Sequence, residues 1–258
     1  MPYATAAISL LPPPVQPTAG LELMQALDKA GFEQLIHPHF LPSKRRLIMR
    51  AYRFAKHGHR EVMREDGSRY FEHPKILAIL LIRLGVYDVH VIIAALLHDI
   101  LEDTYLLELE DIEDIFGPLA CHVVHMVSKL KKEGLTIDQY FARLLGGGWR
   151  SWLVKCADRL HNLSTLVAGS PERAEHFRNK KIRQVAETRD KVIPLALALS
   201  EEPGFEEIGR FFLDALTEWC NFREAETLLA RKSPDLFRRF ASSAATWARG
   251  VVKRLRDF

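Results

Sequence analysis

His98 and Asp99 close an apolar run, Val91–Leu97, and Glu102 and Asp103 follow at once. The run predicts a buried helix, so an imidazole and three carboxylates emerge where water is scarce. Unpaired burial of such groups costs about several kcal/mol each, so something must compensate them. A divalent cation does so economically, because imidazole and carboxylate together suit Mn, Fe or Zn. The plainer alternative is a helix end whose acids face water.

Two further segments favour the metal. Arg64–Pro74 is a Gly67-containing turn that runs into His73, and Pro74 fits the first position of a helix over Lys75–Leu84. That puts His73 at a helix mouth. In Lys155–Leu166, Asp158 and Asn162 stand four apart and Thr165 three further on, which places them on one helical face. His73, the His98-Asp99 doublet and Asp158 would then supply four ligands from three helices.

The order His…His-Asp…Asp resembles the signature of the HD metal-dependent phosphohydrolases. The flanking strings Tyr70-Phe71-Glu72-His73-Pro74, Ala95-Leu96-Leu97-His98-Asp99-Ile100-Leu101-Glu102-Asp103-Thr104 and Ala157-Asp158-Arg159-Leu160-His161-Asn162 are more specific. They resemble the hydrolase domain of the RelA/SpoT family, which removes the 3′-pyrophosphate from ppGpp and pppGpp. The resemblance spans roughly Arg45 to Leu199 and includes Val127-Ser128-Lys129-Leu130 and Ala186-Glu187-Thr188. It implies an all-α HD bundle, one Mn2+ held by His73, His98, Asp99 and Asp158, and a nucleotide substrate. Other transition metals also suit this donor set. Glu102 and Asp103, three and four residues after Asp99, are the candidates to orient and deprotonate the attacking water; the alternative is an exposed acidic helix end. Asn162 resembles the family residue that contacts substrate near the ribose, with Thr165 beside it, and Ser128 and Lys129 are candidate phosphate contacts.

The chain also departs from the family pattern. Arg64 is kept and is expected to lie against the base or its phosphates, but Glu65 stands where the family has Lys, and Ser68-Arg69 replaces Glu-Pro. Ser164 stands where the family has Arg. An acid in place of a base shifts the local charge by two units, so Glu65 is expected to turn away from the phosphates. These departures leave three readings open: an alarmone hydrolase, an HD phosphohydrolase acting on another substrate (the 2′-phosphate of NADPH, another 3′-phosphorylated nucleotide or a pyrophosphorylated tRNA end), or a non-catalytic, antitoxin-like binding protein.

The elements that must position these residues read as helices throughout. Helices are expected over Leu21–Leu35, Ser43–Lys56, Lys75–Leu84, Val89–Leu101, Asp111–Phe116, Leu119–Lys131 and Thr136–Leu145, the last stopped by Gly146-Gly147-Gly148. Trp149–Val167 carries Asp158, and Pro171–Ala198 should break near Pro194. Three parts follow: an irregular Pro-rich tail over 1–20, the HD domain over 21–200 and a helical extension over 201–258. In that extension Leu236, Phe237, Phe240, Ala244, Trp247, Val251, Leu255 and Phe258 form an apolar stripe. Eight basic residues against two acids from Arg231 onward give it a charge of +6 on a chain whose net charge is +3. A final helix packed on the domain, a dimer contact or an anionic partner would each account for it.

With 258 residues, 48% hydrophobic and 27% charged, the chain suits one domain with an extension, and Ser200–Phe258 is too short for a synthetase domain. A stand-alone small hydrolase is the expectation. The modest net charge argues on its own for neither a nucleic-acid coat nor an acidic partner. Cys121, Cys156 and Cys220 are odd in number and set in apolar contexts, hence reduced core residues. No run approaches a membrane span and no secretory leader is evident, so the cytoplasm is expected. Of the remaining histidines, His37, His39, His57 and His59 read as surface or capping residues, His122 and His125 as interior, and His161 as packing or orienting its helix. Trp149 and Trp152 read as core.

Overall fold

The computed structural model describes residues 15–65, 67–103, 106–166 and 174–232, and the Asp103 side chain is outside the described set. The first fourteen residues of the Pro-rich tail, Thr104 and the stripe from Leu236 to Phe258 also lie outside it. The described residues are helical and include no strand; an isolated bridge joins Met63 to Arg69.

In chain order the helices are α1 (Lys29–Ile36), α2 (Pro42–Gly58), α3 (Glu72–Arg83), α4 (Val89–Leu97), α5 (Ile100–Asp103), α6 (Leu109–Phe116), α7 (Pro118–Val127), α8 (Ile137–Gly146), α9 (Gly148–Thr165), α10 (Ala174–Glu187), α11 (Ile193–Glu201) and α12 (Glu206–Lys232). A π turn, Thr188–Val192, joins α10 to α11.

Every residue of α4 except His90 is buried, as its unbroken apolar run requires. Asp88 caps it, its carboxylate accepting from the His90 and Val91 amides. Around α4 pack α2, α3, α7 and α9. Helix α9 also touches α3, α7, α8, α11 and α12, so the helix carrying Asp158 is braced by six other helices. Trp219 and Phe212 of α12 are fully buried in the same core.

Several boundaries differ from the sequence expectation, each for a local reason. Only Lys29–Ile36 of the expected Leu21–Leu35 helix forms. Residues 19–24 are turns whose Leu21, Leu23 and Met24 still reach the core, and the Asp28 carboxylate caps a new start at the Gly31 amide. Helix α3 begins at Glu72, earlier than expected, so Pro74 is its third residue. That is still the first turn, where a missing N–H is tolerated. The expected Val89–Leu101 helix stops at Leu97, and the expected Leu119–Lys131 helix stops at Val127, where Ser128 turns extended. The break expected near Pro194 falls in the π turn just before it, where the proline ring would clash with a continuing helix. His122 is exposed rather than interior, and His125 is half-buried against Glu133 and Arg143. His59 is the reverse: expected at the surface, it is buried with its ring stacked on Tyr70. The three cysteines are buried and free.

Candidate metal centre

The interruption after Leu97 shapes the site. On a continuous helix two consecutive side chains diverge by about 100°, which would send His98 and Asp99 to different faces. Here α4 ends, two turn residues follow, and α5 restarts at Ile100. His98 Nε2 and Asp99 Oδ2 lie 2.9 Å apart. The first turn of α3 brings His73 Nε2 to 3.2 Å from His98 Nε2, and the middle of α9 brings Asp158 Oδ1 to 3.3 Å from His73 Nε2. The wider pairs, His73 with Asp99 and His98 with Asp158, are 3.7 and 3.9 Å apart. Four sequence-predicted residues from distant segments thus meet at one point.

The spacing suits an ion. Donors held about 2.1 Å from one centre lie roughly 3.0 to 4.2 Å apart at right or straight angles; the separations of 2.9 to 3.9 Å are close to that, with His73, His98 and Asp99 as the compact group and Asp158 Oδ1 beside His73. The ring nitrogens are also oriented for it. His98 Nδ1 lies 3.0 Å from the Ala95 carbonyl, which only accepts, so Nδ1 carries hydrogen and Nε2 faces the site. His73 Nδ1 lies 2.9 Å from His161 Nδ1. Burial, with the neighbouring His73 and Arg64, drives His161 well below the usual histidine range, so its neutral ring can accept the His73 proton and free Nε2. Two lone pairs 3.2 Å apart repel each other unless a cation or proton lies between them.

Without a metal the cluster holds protons instead. Burial lowers His73. For His98 burial acts downward too, but the Asp99 charge and hydrogen bond, with Asp158, raise it to about 9. Asp99 and Asp158 are held below the usual carboxylate range: burial opposes this, but His98 outweighs it for Asp99, and Lys155 and the histidines outweigh it for Asp158. Outer partners fix the carboxylates. The Tyr70 hydroxyl donates to Asp99 Oδ2 at 2.8 Å, Lys155 Nζ donates to Asp158 Oδ2 at 2.9 Å, and Asn162 Nδ2 donates to Asp158 Oδ1 at 2.5 Å.

This cluster floors a cleft of about 470 Å³. Glu102 lines it, accepting from the Lys129 amide, and burial raises its carboxyl to about 7. Arg64, Lys129, Asn162 and Thr165 line it as well, with the Arg64 guanidinium donating to Asn162 Oδ1 at 3.0 Å and Thr165 Oγ1 at 3.4 Å. Ser128 does not. It is fully buried behind the site, and its hydroxyl donates to the His98 carbonyl at 2.8 Å. It is a brace for the doublet, which corrects its expected place on the phosphate. Trp149 and Trp152 pack against the core, away from the cleft.

Sequence reasoning missed one wall. Phe177, Lys180, Gln184 and Glu187 of α10 line the cleft, and buried Arg159 ties α10 to α9 through Glu187 and the Gln184 carbonyl. It also gave no role to Tyr70 or Lys155, although each sits inside a quoted motif. Glu65 lies on the cleft wall, clamped by Lys180 at 2.5 Å and His176 at 3.5 Å. Burial would raise its pKa, and the contacts with Lys180 first and His176 second reverse that and lower it.

A family model described as HD domain matches residues 51–140, a span that contains His73, His98 and Asp99. Relatives extend the likeness past it. The chain is 36% identical over 184 residues to a probable guanosine-3′,5′-bis(diphosphate) 3′-pyrophosphohydrolase of Synechocystis, covering 68% of this chain and 22% of that one. It is 32% identical over 196 residues to the bifunctional (p)ppGpp synthase/hydrolase SpoT of Escherichia coli, covering 69% of this chain and 26% of that one. The chain carries an HD domain, and over about two thirds of its length it is similar to proteins described as guanosine-3′,5′-bis(diphosphate) 3′-pyrophosphohydrolase and SpoT. It spans about a fifth to a quarter of the length of the curated relatives it matches. A solved structure described as a metazoan ortholog of SpoT that hydrolyzes ppGpp shares this HD fold, with a TM-score of 0.52 and 24% identity over 71% of this chain and 98% of that one. No described helix is long and apolar enough to cross a membrane.

Proposed function

We propose that this chain hydrolyses the 3′-pyrophosphate of guanosine polyphosphates, yielding pyrophosphate and GDP or GTP, with Mn2+ as its ion. One observation carries the reading: His73, His98, Asp99 and Asp158 converge on the floor of a cleft that Glu102, Arg64 and Asn162 also line. A divalent ion held by those four residues supplies Lewis acidity toward the phosphate and lowers the pKa of water.

The rest follows from side chains of the chain itself. In the reaction the bond between the ribose 3′ oxygen and phosphorus breaks, water oxygen bonds to phosphorus, and the 3′ oxygen takes a proton. Glu102, with a carboxyl raised to about 7, is matched to accept the water proton near neutrality and return it to that oxygen. Asp103 is assigned the same proton chemistry by its place beside Glu102 in the sequence. Arg64 presents a planar fork that can stack on a base or grip a phosphate. It is anchored to Asn162 and Thr165, one and two turns along α9 from Asp158.

The test is metal-stripped protein reloaded with Mn2+ and given ppGpp, pppGpp and a panel holding NADPH, other 3′-phosphorylated nucleotides and a pyrophosphorylated tRNA end. Pyrophosphate with GDP or GTP is the expected product, and His98→Ala or Asp99→Ala removes it. Turnover of another panel member with none of the guanosine substrates refutes the reading. A biological effect that survives His98→Ala points to the binding-protein alternative.

A further inference from the structure

Helix α8 grips the chain where it leaves α7, and that stretch of chain grips the site. The Tyr140 hydroxyl donates to the Val127 carbonyl at 2.6 Å, and Arg143 Nη2 donates to the Ser128 carbonyl at 2.6 Å. From the same stretch, Ser128 Oγ donates to the His98 carbonyl at 2.8 Å and the Lys129 amide donates to Glu102 Oε1 at 2.5 Å. Resting on the hydrolase reading above, we propose that Arg143 is a positioning residue for Glu102: it fixes the peptide whose N–H aims the carboxylate at the attacking water.

Glu102 needs an outside anchor. It stands on α5, a helix of four residues, and a single turn closes too few hydrogen bonds to be rigid by itself. The anchor comes from Lys129, on backbone that Ser128 has already turned extended, so no helical ladder holds that amide. What holds it is its own peptide unit. The Ser128 carbonyl and the Lys129 N–H are opposite edges of one planar group, so a bond that orients the carbonyl orients the N–H as well. Arg143 grips one edge and Glu102 receives the other.

Arg143 is itself held in place. Its Nη1 donates to Glu133 Oε2 at 2.5 Å, and Glu133 Oε1 meets His125 Nε2 at 2.6 Å. One planar fork thus serves a carboxylate with one arm and a carbonyl with the other, which an ammonium on a flexible stem does less well. Arg143 does not line the cleft, so its influence on turnover passes through the peptide. His98 has a second anchor, its Nδ1 lying 3.0 Å from the Ala95 carbonyl, so the metal centre should keep its form when Arg143 is changed.

Two readouts test the inference. The first is the NMR shift of the Lys129 amide proton in metal-free protein. In the otherwise wild-type chain, Glu102→Gln should move that proton upfield, because a neutral acceptor replaces a carboxylate. In Arg143→Met protein the same replacement should leave it nearly still. Glu133→Gln, which frees one arm of the guanidinium without removing it, should weaken the response and serves where Arg143→Met fails to fold. The second readout is kcat on ppGpp with Mn2+. Arg143→Met should lower it by about tenfold, the scale of a small misplacement of a reacting group, and Arg143→Lys should lose less. The same loss should appear in a Lys129→Ala background, which keeps the backbone amide, and vanish in a Glu102→Gln background. A Lys129 amide that responds to Glu102→Gln equally with and without the Arg143 contact, or a kcat loss of the same size in the Glu102→Gln background, overturns the inference and leaves the hydrolase reading intact. The expected amide response with no turnover of any guanosine substrate overturns the hydrolase reading and leaves Arg143 positioning Glu102 for another substrate.

Discussion

Metal affinity should climb with pH, because the ion must displace a proton shared by His98 and Asp99. In the metal-free site His98 titrates at about 9 instead of its ordinary 6.5. Binding an ion through Nε2 removes that proton, so affinity should rise with pH until about 9 and level off beyond. Glu102 titrates at about 7, and a window of pH 7.5 to 8.5 isolates His98 from it. Across that unit the gain is about eightfold for a single proton with a pKa near 9. Stability of the metal-free protein carries the opposite sign. A histidine raised above its unfolded value stabilises fully below 6.5 and loses that contribution as pH rises through 9. The loss is about 3 kcal/mol for a fully buried group, or roughly 6 to 12 °C in Tm for a chain of this size. Asp99 and Asp158 are depressed, so their stabilisation is lost only as pH falls into the acid range, outside the window. Competition with a metal-sensitive fluorescent chelator measures the affinity. Calorimetry in buffers of different ionisation enthalpy should count close to one proton released per ion at pH 7.5. An affinity flat between pH 7.5 and 8.5, with no proton released, would refute the assignment of His98 Nε2 as a ligand.

Glu102→Gln combined with Asp103→Asn should keep metal affinity and lower kcat by a factor on the order of 10² or more, the usual loss when general acid–base groups are removed; wild-type turnover would assign both acids to structure. Tyr70→Phe removes the 2.8 Å hydrogen bond to Asp99 Oδ2, and metal affinity should fall about tenfold, read by the same chelator competition with the melting curve as a check on folding. Gly209→Ala should destabilise the protein by about 3 kcal/mol or more, read by urea unfolding. A Cβ there would stand 2.2 Å from the Ser200 backbone nitrogen, so α12 would have to lift off the end of α11.

The helical order was legible because nearly every element buries one face and repeats its apolar residues with a helical period, as Ile48, Ala51, Tyr52 and Ala55 do along α2. What periodicity cannot see is where a buried run stops. Leu21, Leu23 and Met24 are spaced like a helix face yet pack from turns, because contact with the core rewards the side chain whatever backbone carries it. His98 and Asp99 continue the α4 sequence without a glycine or proline to mark an end. The break falls at the doublet itself, where both side chains turn toward one point.

The four residues that converge were named from their types and order, since an imidazole or carboxylate inside an apolar helix demands a partner and only a few such residues exist. Their supports were harder to foresee. Ser128 stands beside Lys129 and reads as a phosphate contact, but α7 ends one residue earlier, and the extended backbone turns the hydroxyl inward to the His98 carbonyl. The α10 wall offered only Ala186-Glu187-Thr188, to which no site role was attached, because Phe177, Lys180 and Gln184 are ordinary residues on an amphipathic helix. Only tertiary packing through Arg159 shows that this face looks into the cleft. Glu65 joins the two kinds of knowledge. Its identity revealed in sequence that the charge of the loop had changed, and an acid without a partner there would simply have repelled substrate. The structure supplies the partner 115 positions away on α10, and that changes the reading: a carboxylate already paired with Lys180 and His176 turns no net single charge toward a phosphate that reaches this wall.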